Sequence, residues 1–358
     1  MPSRIVSRIE RQLQLTGLVD ALSDRVSASD LRSLLLEIHA ARAGAVTESD
    51  LLANAARDPL LAPSAVSAAT FTAFDMAAFQ AAPEFTSLEL SPVCAFGAAS
   101  VLGGTSQNNV LTAIRNAESL GDPTIAMAIE AARRLRSDDL VRLSASHRVI
   151  RMQPFDVPGY SPHFRLFALV TGGRDSGSRR FEMTHLREHV RVYLRIFRML
   201  ATAGFSLRAP RVEFTDMSGV ESALEKLGIT RQEIRDTIRA HRSGGSERFL
   251  QERGIGALPE SAQPQLEAEV IAALREEFPE ARFGLNQQRL EGLGYYQSYA
   301  LRISPVAPDG QSYPIVDGGF TDWTARMLSN RKQRLLISGI GTEFVCKKYR
   351  SDLDSGPA

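Results

Sequence analysis

Three runs near the C-terminus decide the fold, namely RLEGLGYYQSYALRI (residues 289–303), SYPIVDGGFTDW (residues 312–323) and RLLISGIGTEFVCKKY (residues 334–349). Each run is apolar, is rich in residues that favour strands, and contains closely spaced glycines. After its last glycine, the third run continues as an amphipathic segment. The stretch therefore predicts a hairpin, then a glycine-lined turn, then a strand that leads into a helix.

The composition is ordinary for a soluble globular protein, with 44% apolar and 23% charged residues among 358. A formal net charge of +1 gives no bulk attraction to nucleic acid or to an anionic membrane. The two cysteines, Cys94 and Cys346, have no metal-ligand spacing, which argues against a disulfide scaffold. Charges interrupt the N-terminus, and no run reaches the ~18 apolar residues of a membrane span. We therefore expect a cytoplasmic protein that does not enter a membrane.

The patterns divide the chain into five predicted parts, which are a helical N-terminal segment (1–86), the first part of a core (87–217), a small helical insertion (218–280), the final part of the core (281–349) and a tail (350–358). Within these parts, the alanine-rich stretch Ala53–Phe85 contains three prolines and is predicted to be a loop-bearing connection. The stretch Gln107–Leu120 is predicted to be a helix, and Val141–Gln153, which alternates polar and apolar residues, is predicted to be a strand.

A second informative stretch, from His163 to Thr184, predicts an antiparallel hairpin. HFRLFALVT (163–171) is the first predicted strand, GGRDSG (172–177) the turn, and SRRFEMT (178–184) the returning strand. The apolar spacing that follows, from Leu186 to Leu200, predicts a helix that ends at Gly204.

The glycines and tyrosines of the three C-terminal runs resemble the histidyl-tRNA synthetase branch of the class II aminoacyl-tRNA synthetases. Gly292-Leu293-Gly294-Tyr295-Tyr296 is similar to the GLDYY-type strand that lines the amino-acid pocket there. Gly318-Gly319-Phe320-Thr321-Asp322 resembles a GGRYD turn, and Gly339-Ile340-Gly341-Thr342-Glu343-Phe344 resembles a GxGxER motif. Phe320 and Phe344 stand where the family has arginine. The resemblance, over residues 88–349, implies an α+β fold with a largely antiparallel sheet flanked by helices, and a homodimer.

The resemblance also implies an arginine on a hairpin strand that grips the α-phosphate of ATP. His163-Phe164-Arg165-Leu166 resembles the start of the family's hairpin motif, so Arg165 is the candidate for this catalytic role, with Arg174 in the predicted turn as a substitute. A guanidinium suits the task because it makes paired contacts with phosphate. The alternative is that these arginines are solvated strand positions.

The last motif implies a site for ATP with Mg²⁺. Gly339 and Gly341 permit the close backbone approach that an adenine-binding strand needs. Glu343 matches the family's acidic position, Phe344 can stack on a base, and Lys347 can supply charge. Phe344 cannot hold a phosphate, however, and a lysine lacks the planar fork of arginine. We therefore expect that this site no longer handles ATP in the family's way.

The predicted substrate pocket consists of Tyr295, Tyr296, Gly318, Gly319 and Asp322. A tyrosine offers a ring wall and one hydroxyl, which suits an amino-acid pocket. Adjacent residues of a strand face opposite sides, so one tyrosine is expected to line the pocket and the other to pack elsewhere. Because Gly294 replaces an acidic residue of the family, histidine itself is not the expected ligand.

A different pattern, His185-Leu186-Arg187-Glu188-His189, fits the H-x-x-E-H arrangement of one class of zinc metalloprotease. Two histidines one helical turn apart can chelate zinc, with Glu188 as the base. No downstream glutamate stands out as a third ligand, and such spacing also arises by chance on amphipathic helices. Metalloprotease chemistry is therefore a remote alternative, and no metal site is predicted.

Two functions remain open. In the first, the chain is a paralogue that binds an amino-acid-like metabolite and regulates a partner protein, as the regulatory subunit of ATP phosphoribosyltransferase does. In the second, it is a stand-alone ligase that forms an adenylate for a non-tRNA acceptor, with Arg165 or Arg174 and Lys347 or Lys348. The sequence ends soon after the third motif, so we do not expect the family's anticodon-binding domain. Charging of tRNA is therefore not expected.

Overall fold

The computed structural model describes residues 3–113, 115–153, 161–230, 232–233, 245–258 and 262–350. Its strands, in chain order, are β1 (Thr86–Ser87), β2 (Val93–Ala95), β3 (Thr112–Ala113), β4 (Ala117–Ser119), β5 (Leu140–Ile150), β6 (His163–Arg174), β7 (Arg208–Asp216), β8 (Arg282–Leu285), β9 (Tyr299–Val306), β10 (Val316–Thr321) and β11 (Gln333–Ile340).

Eight of these strands form one central sheet in the order β1-β5-β6-β11-β10-β9-β7-β8. At the two edges, β1 runs parallel to β5 and β8 runs parallel to β7, whereas every described pair between them is antiparallel. A separate small sheet has the order β2-β4-β3. The predicted fold class, a largely antiparallel sheet with flanking helices, is therefore confirmed.

The described α-helices are α1 (Arg4–Leu13), α2 (Leu18–Asp20), α3 (Ala28–Ala43), α4 (Glu48–Arg57), α5 (Ala68–Ala81), α6 (Ala98–Val101), α7 (Pro123–Arg134), α8 (Arg180–Thr202), α9 (Met217–Lys226), α10 (Gly245–Glu252), α11 (Pro264–Leu266), α12 (Ala272–Glu277), α13 (Trp323–Met327) and α14 (Thr342–Lys348). One π-helical turn, Ala21–Arg25, extends α2, and another, Glu267–Ile271, joins α11 to α12. A 3₁₀ turn spans Gln107–Asn109.

Helices cover both faces of the central sheet, and successive side chains of a strand point to opposite faces. In β6, Phe167 and Leu169 pack into a cluster with α5, α8 and the Pro264–Glu277 helices, on what we call the α8 face. Ala168 and Val170 pack into a second cluster with α7, on the α7 face. A smaller third cluster joins α9 and α10 to Leu290. Within the predicted insertion (218–280), the helices of Pro264–Glu277 thus belong to the main core.

The true hairpin is formed by β5 and β6, and the predicted hairpin at 163–184 is wrong. Strands β5 and β6 pair in antiparallel register, with Arg148 opposite Arg165. The segment SRRFEMT starts helix α8 instead of returning as a strand. Ser178 and Arg179 have φ of 51° and 53°, a left-handed turn that sends the chain out of the sheet. Thr184 lies one turn into α8, so the helical periodicity seen after Leu186 begins earlier than predicted.

Two other local predictions are wrong. The predicted connection at Ala53–Phe85 contains α5, whose Phe71 and Phe74 are buried. Its prolines lie outside the helix, and alanine is the strongest helix former, so the composition suits a buried helix. The predicted helix at Gln107–Leu120 is a 3₁₀ turn followed by β3 and β4. There Glu118 is buried and accepts hydrogen bonds from the backbone N–H groups of Gly97 and Ala99.

Among the described residues, no helix is both long enough and apolar enough to cross a membrane. Most of the predicted tail, residues 351–358, lies outside the described part of the chain.

Candidate functional site

A cleft opens on the α7 face of the sheet, where three cavities adjoin. A central cavity of about 370 Å³ shares Arg151, Ile315 and Gly341 with an outer cavity of about 360 Å³. A side cavity of about 160 Å³ shares Asp122, Arg151 and Tyr295 with the central one. Both larger volumes are within the usual range for small-ligand sites, about 300–1,000 Å³.

Arg151 lines all three cavities. It follows β5 directly, and its Nε donates to the carbonyl oxygen of Gly121 at 2.7 Å. Its Nη2 lies 3.8 Å from Oδ2 of Asp122, and its guanidinium carbon lies 5.1 Å from the ring centroid of Phe164. These contacts fix the cation at the junction of the cavities. Arg151 was not among the sequence-predicted site residues.

Tyr295 and Tyr296 both line the central cavity, so the expectation that only one would do so is wrong. They lie in a turn that precedes β9, where the alternation of a strand does not apply, and the backbone N–H of Tyr296 donates to the carbonyl oxygen of Gly292 at 2.8 Å. Their rings meet edge to face at 4.9 Å between centroids. Burial raises the pKa of both phenols well above the usual value, so both hydroxyls stay protonated near neutral pH.

Two carboxylates stand at the central cavity. Asp122 caps α7, because its Oδ1 accepts hydrogen bonds from the backbone N–H and the hydroxyl of Thr124. Asp317, on β10, accepts a 2.6 Å hydrogen bond from Nη2 of Arg289. The Arg289 guanidinium is buried and lies 5.7 Å from the ring centroid of Tyr296. The side chain of Asp317 nevertheless remains 52% exposed, so its carboxylate is accessible from the cleft.

The last strand and helix contribute the residues that the sequence predicts for nucleotide binding. Gly339 and Gly341 line the central cavity, and Glu343, Phe344 and Lys347 line the outer one. As predicted, β11 ends at Ile340 and α14 begins at Thr342. The sequence therefore brings the tyrosine and glycine motifs together in one cleft.

Glu343 is held on both of its carboxylate oxygens. Its Oε1 accepts from the Ser64 hydroxyl at 2.8 Å and lies 3.1 Å from Nζ of Lys347, and its Oε2 accepts from Nη1 of Arg148 at 3.1 Å. Burial alone would raise the pKa of Glu343, but these hydrogen bonds and the two cations outweigh it and lower the pKa. The carboxylate is thus ionised and already neutralised by protein cations.

The outer cavity fits a planar ring better than it fits ATP with magnesium. Phe164, Tyr313 and Phe344 form aromatic walls, with Tyr313 and Phe344 in edge-to-face contact at 5.3 Å between centroids. A triphosphate needs several cations, and a magnesium ion needs an accessible carboxylate. Here Lys347 neutralises Glu343, and that carboxylate is occupied. Arg151 is the remaining cation of this cavity, so the residues fit a base better than they fit a phosphate chain with its metal.

Other predicted site residues lie away from the cleft. Arg165 points to the α8 face, where its Nη2 is 2.8 Å from Oδ2 of Asp75 and its Nε donates to the hydroxyl of Ser146. Arg174 is exposed at the opposite end of β6, in register with Gln333. The geometry gives neither arginine access to the cleft.

The predicted glycine turn is wrong, because Gly318 and Gly319 lie inside strand β10. Gly319 contacts the ring of Tyr296, whereas Gly318 packs against Ser338 of β11. Asp322 precedes α13, forms a 3.0 Å ion pair with Arg326, and lines a separate cavity. Gly319 is therefore the member of this motif that supports the cleft.

The two histidines of the H-x-x-E-H pattern are engaged within the protein. His189 is fully buried, and its ring nitrogens bond to the hydroxyls of Thr171 and Ser338 at 2.9 and 2.8 Å. Nδ1 of His185 bonds to Glu188 at 2.7 Å. Burial lowers the pKa of His189 to about 3. Among the described residues, no three His, Cys, Asp or Glu side chains are grouped to hold a metal ion.

No protein-family model matches the sequence, and no curated protein is significantly similar to it. Solved structures of similar fold include an ATP phosphoribosyltransferase regulatory subunit/histidyl-tRNA synthetase from Bacillus halodurans C, at 14% identity and a TM-score of 0.55, over 78% of this chain and 79% of that one.

Two further structures are similar at 14% identity and a TM-score of 0.57. One is a histidine–tRNA ligase subunit from Alicyclobacillus acidocaldarius, matched over 78% of this chain and 91% of that one. The other is a histidyl-tRNA synthetase from Nostoc sp. PCC 7120, matched over 81% and 74%. At this identity the likeness shows the fold alone. The chain thus has the class II synthetase-like fold of histidyl-tRNA synthetases and of the ATP phosphoribosyltransferase regulatory subunit.

Proposed function

We propose that the cleft binds a small amino-acid-like metabolite, and that the protein is a binding or regulatory paralogue which does not charge tRNA. One observation carries this proposal. Asp122, Asp317 and Arg151 stand around one cavity of about 370 Å³ whose remaining wall includes the buried Tyr296 and the partly buried Tyr295. A zwitterion needs both kinds of charge in its site, and here carboxylates and a guanidinium provide them.

The charges divide naturally between the two ends of an amino acid. An ammonium group donates up to three hydrogen bonds, which the Asp122 and Asp317 carboxylates can accept. The carboxylate of the ligand pairs with the guanidinium of Arg151, whose planar donors suit this geometry. Tyr295 and Tyr296 then supply ring surface and protonated hydroxyls for the rest of the molecule.

The outer cavity supports a role without tRNA charging. Its acidic residue, Glu343, is paired with Arg148 and Lys347, and its aromatic residue, Phe344, cannot bind a phosphate. The Bacillus halodurans protein of similar fold carries the double name of ATP phosphoribosyltransferase regulatory subunit/histidyl-tRNA synthetase, and a regulatory role here would require a partner protein. We also propose that the protein forms a homodimer.

Ligand-induced stabilisation tests the proposal. Thermal unfolding of the wild type against a panel of amino acids and related metabolites is expected to reveal a stabilising ligand, because a ligand that binds only the folded state raises its stability. Asp122→Asn keeps the α7 cap, since asparagine caps well, but removes the charge. It should lose the shift, whereas the control Asp322→Asn, outside the cleft, should keep it. A panel without any shift would contradict the proposal.

A second candidate, an adenylate-forming ligase for a non-tRNA acceptor, is favoured by the position of Arg151. This residue lines both the central and the outer cavity, so it can contact groups in each. ATP–pyrophosphate exchange with magnesium and pooled amino acids separates the candidates. Our proposal predicts no exchange above background from folded protein, and an exchange that Arg151→Gln abolishes would establish the ligase instead.

A further inference from the structure

The first four helices, residues 3–57, form a segment without a core, which we call the arm. Val66, beyond the arm, is the first buried residue of the described chain. The arm nevertheless carries many large apolar side chains that are exposed, namely Ile5, Leu13, Leu15, Val19, Leu34, Leu36, Ile38, Val46, Leu51 and Leu52. Isolated helices of 10–16 residues are marginal in water, so an arm of this kind gains stability when its apolar surface is covered.

Helix α3, the longest of the arm, carries a regular apolar seam. Leu31, Leu34, Ile38 and Ala41 follow one another at spacings of three, four and three residues, which is the spacing of a two-stranded coiled coil. Leu34 and Ile38 are 44% and 45% exposed. Helix α5 packs closely on α8, whereas no described helix packs on α3 to a similar extent. The seam is thus available to a partner.

The charge of the arm argues for a neutral partner. Residues 3–57 contain no lysine, seven arginines (4, 8, 11, 25, 32, 42 and 57) and seven acidic residues (10, 20, 24, 30, 37, 48 and 50). A surface that binds nucleic acid or an anionic membrane would carry an excess of positive charge. A balanced surface instead suits contact with a second copy of itself.

We propose that the arm joins two copies of this chain through a parallel pairing of their α3 helices. Glu37 and Arg42 flank this seam, at positions g and e of the heptad repeat. In a parallel pair, a residue at position g of one helix meets the position-e residue five places later on the other helix. Glu37 of each copy then meets Arg42 of the other, so two ion pairs flank the apolar seam. The pairing is isologous, because each copy contributes the same surface.

Single cysteines on the seam test both the contact and its direction. Leu34→Cys and Ala41→Cys lie seven residues apart, or about 10 Å along a helix. In a parallel pair, each position meets its own copy, so both variants should form a disulfide-linked dimer on mild oxidation. In an antiparallel pair at most one of them can. The wild type, whose Cys94 is half-buried and Cys346 buried, is the blank.

Leu52→Cys, at 75% exposure in α4, is the matched control for random collision and should give no linked dimer above the blank. A covalent link at α3 is the readout because a dimer formed by other surfaces would have the same mass. Absence of a link in both seam variants, or equal linking by Leu52→Cys, would overturn the proposal. Linking by one seam variant alone would overturn the parallel direction.

Charge exchange gives an independent test. Glu37→Arg and Arg42→Glu each replace two attractions by two repulsions, which should weaken self-association through α3 about tenfold. The double variant, and an equimolar mixture of the two single variants, each restore opposite charges at both contacts. Both should therefore recover linking of a Leu34→Cys background to the original level. Recovery in neither would contradict the Glu37–Arg42 contact.

Discussion

The ring of Tyr296 rests directly on Gly319, and a Cβ atom at Gly319 would come within 2.5 Å of that ring. This contact couples β10 to the turn that carries both cleft tyrosines. The ring can pack directly on the backbone of β10 because glycine has no side chain on the α7 face at this position.

We expect Gly319→Ala to displace the Tyr296 ring and so to change the shape of the cleft. The added methyl group must displace Tyr296 or the backbone of Tyr299, and overpacking of this kind typically costs about 1–3 kcal/mol. Chemical denaturation should show that loss, and ligand-induced stabilisation should fall with it. Gly284→Ala is the matched control, because it also lies in a strand but its Cβ would have no neighbour within 4 Å. Equal effects of the two changes would contradict the role of Gly319.

We expect Arg151→Gln to weaken ligand binding and to leave the stability of the fold nearly unchanged. Its guanidinium is about a third exposed, so its loss should change the free energy of unfolding little. A charge-assisted contact with a ligand carboxylate is worth about 1.5–3 kcal/mol, or at least tenfold in affinity. Titration calorimetry with the ligand from the panel measures this loss. Arg174→Gln, exposed at the other end of the hairpin, should bind as the wild type does, and an unchanged affinity in Arg151→Gln would argue against our placement of the ligand.

The buried histidine of α8 predicts a specific acid sensitivity. Burial lowers the pKa of His189 from 6.5 to about 3, so the unfolded chain binds a proton there between these two values and the folded chain does not. The contribution of neutral His189 to the free energy of unfolding is therefore fully present above pH 6.5, and it is lost progressively as the pH falls towards 3. His189→Gln, which does not titrate, should lower stability at neutral pH but show a shallower decline in acid. Parallel pH curves for the two proteins would refute this assignment.

The zinc alternative has its own measurement. Since both ring nitrogens of His189 are bonded to hydroxyls, we expect a strong chelator to leave the melting temperature and the secondary structure unchanged. Elemental analysis of the purified protein provides the control. A stoichiometric zinc content that falls, together with stability, on chelation would restore the metalloprotease hypothesis.

Much of the fold could be predicted from residues whose local chemistry agrees with the tertiary structure. The strand-to-helix junction at Gly341 and the strand at Val141–Gln153 were both apparent from glycine placement and alternation. The hairpin at 163–184 was not, because Arg180–Thr184 carries no signal that separates a short strand from the first turn of a helix. The true partner of β6 is β5, which precedes it, and only the register of the sheet reveals that pairing.

The cleft was predictable only in part, for a related reason. Tyr295 and Tyr296, Gly319 and Gly341 belong to three recognisable motifs, and all of them contribute to the cleft. Arg151 belongs to no such motif. It reaches the cleft because it follows the last residue of β5, and its importance depends on the correct assignment of the hairpin. Only the pairing of β5 with β6 shows that a residue just after β5 lies beside the start of β6 and hence at the cleft.

The most direct test of the central claim is to bind the stabilising ligand and its blocked derivatives in turn. Titration calorimetry should give saturable binding of the free amino-acid-like ligand. The Nα-acetyl and the carboxamide derivatives should each bind at least tenfold more weakly, because each removes one charge that Asp122, Asp317 or Arg151 is expected to recognise. Equal affinity of the blocked derivatives, or saturable binding of ATP with magnesium and of no amino acid, would contradict the account.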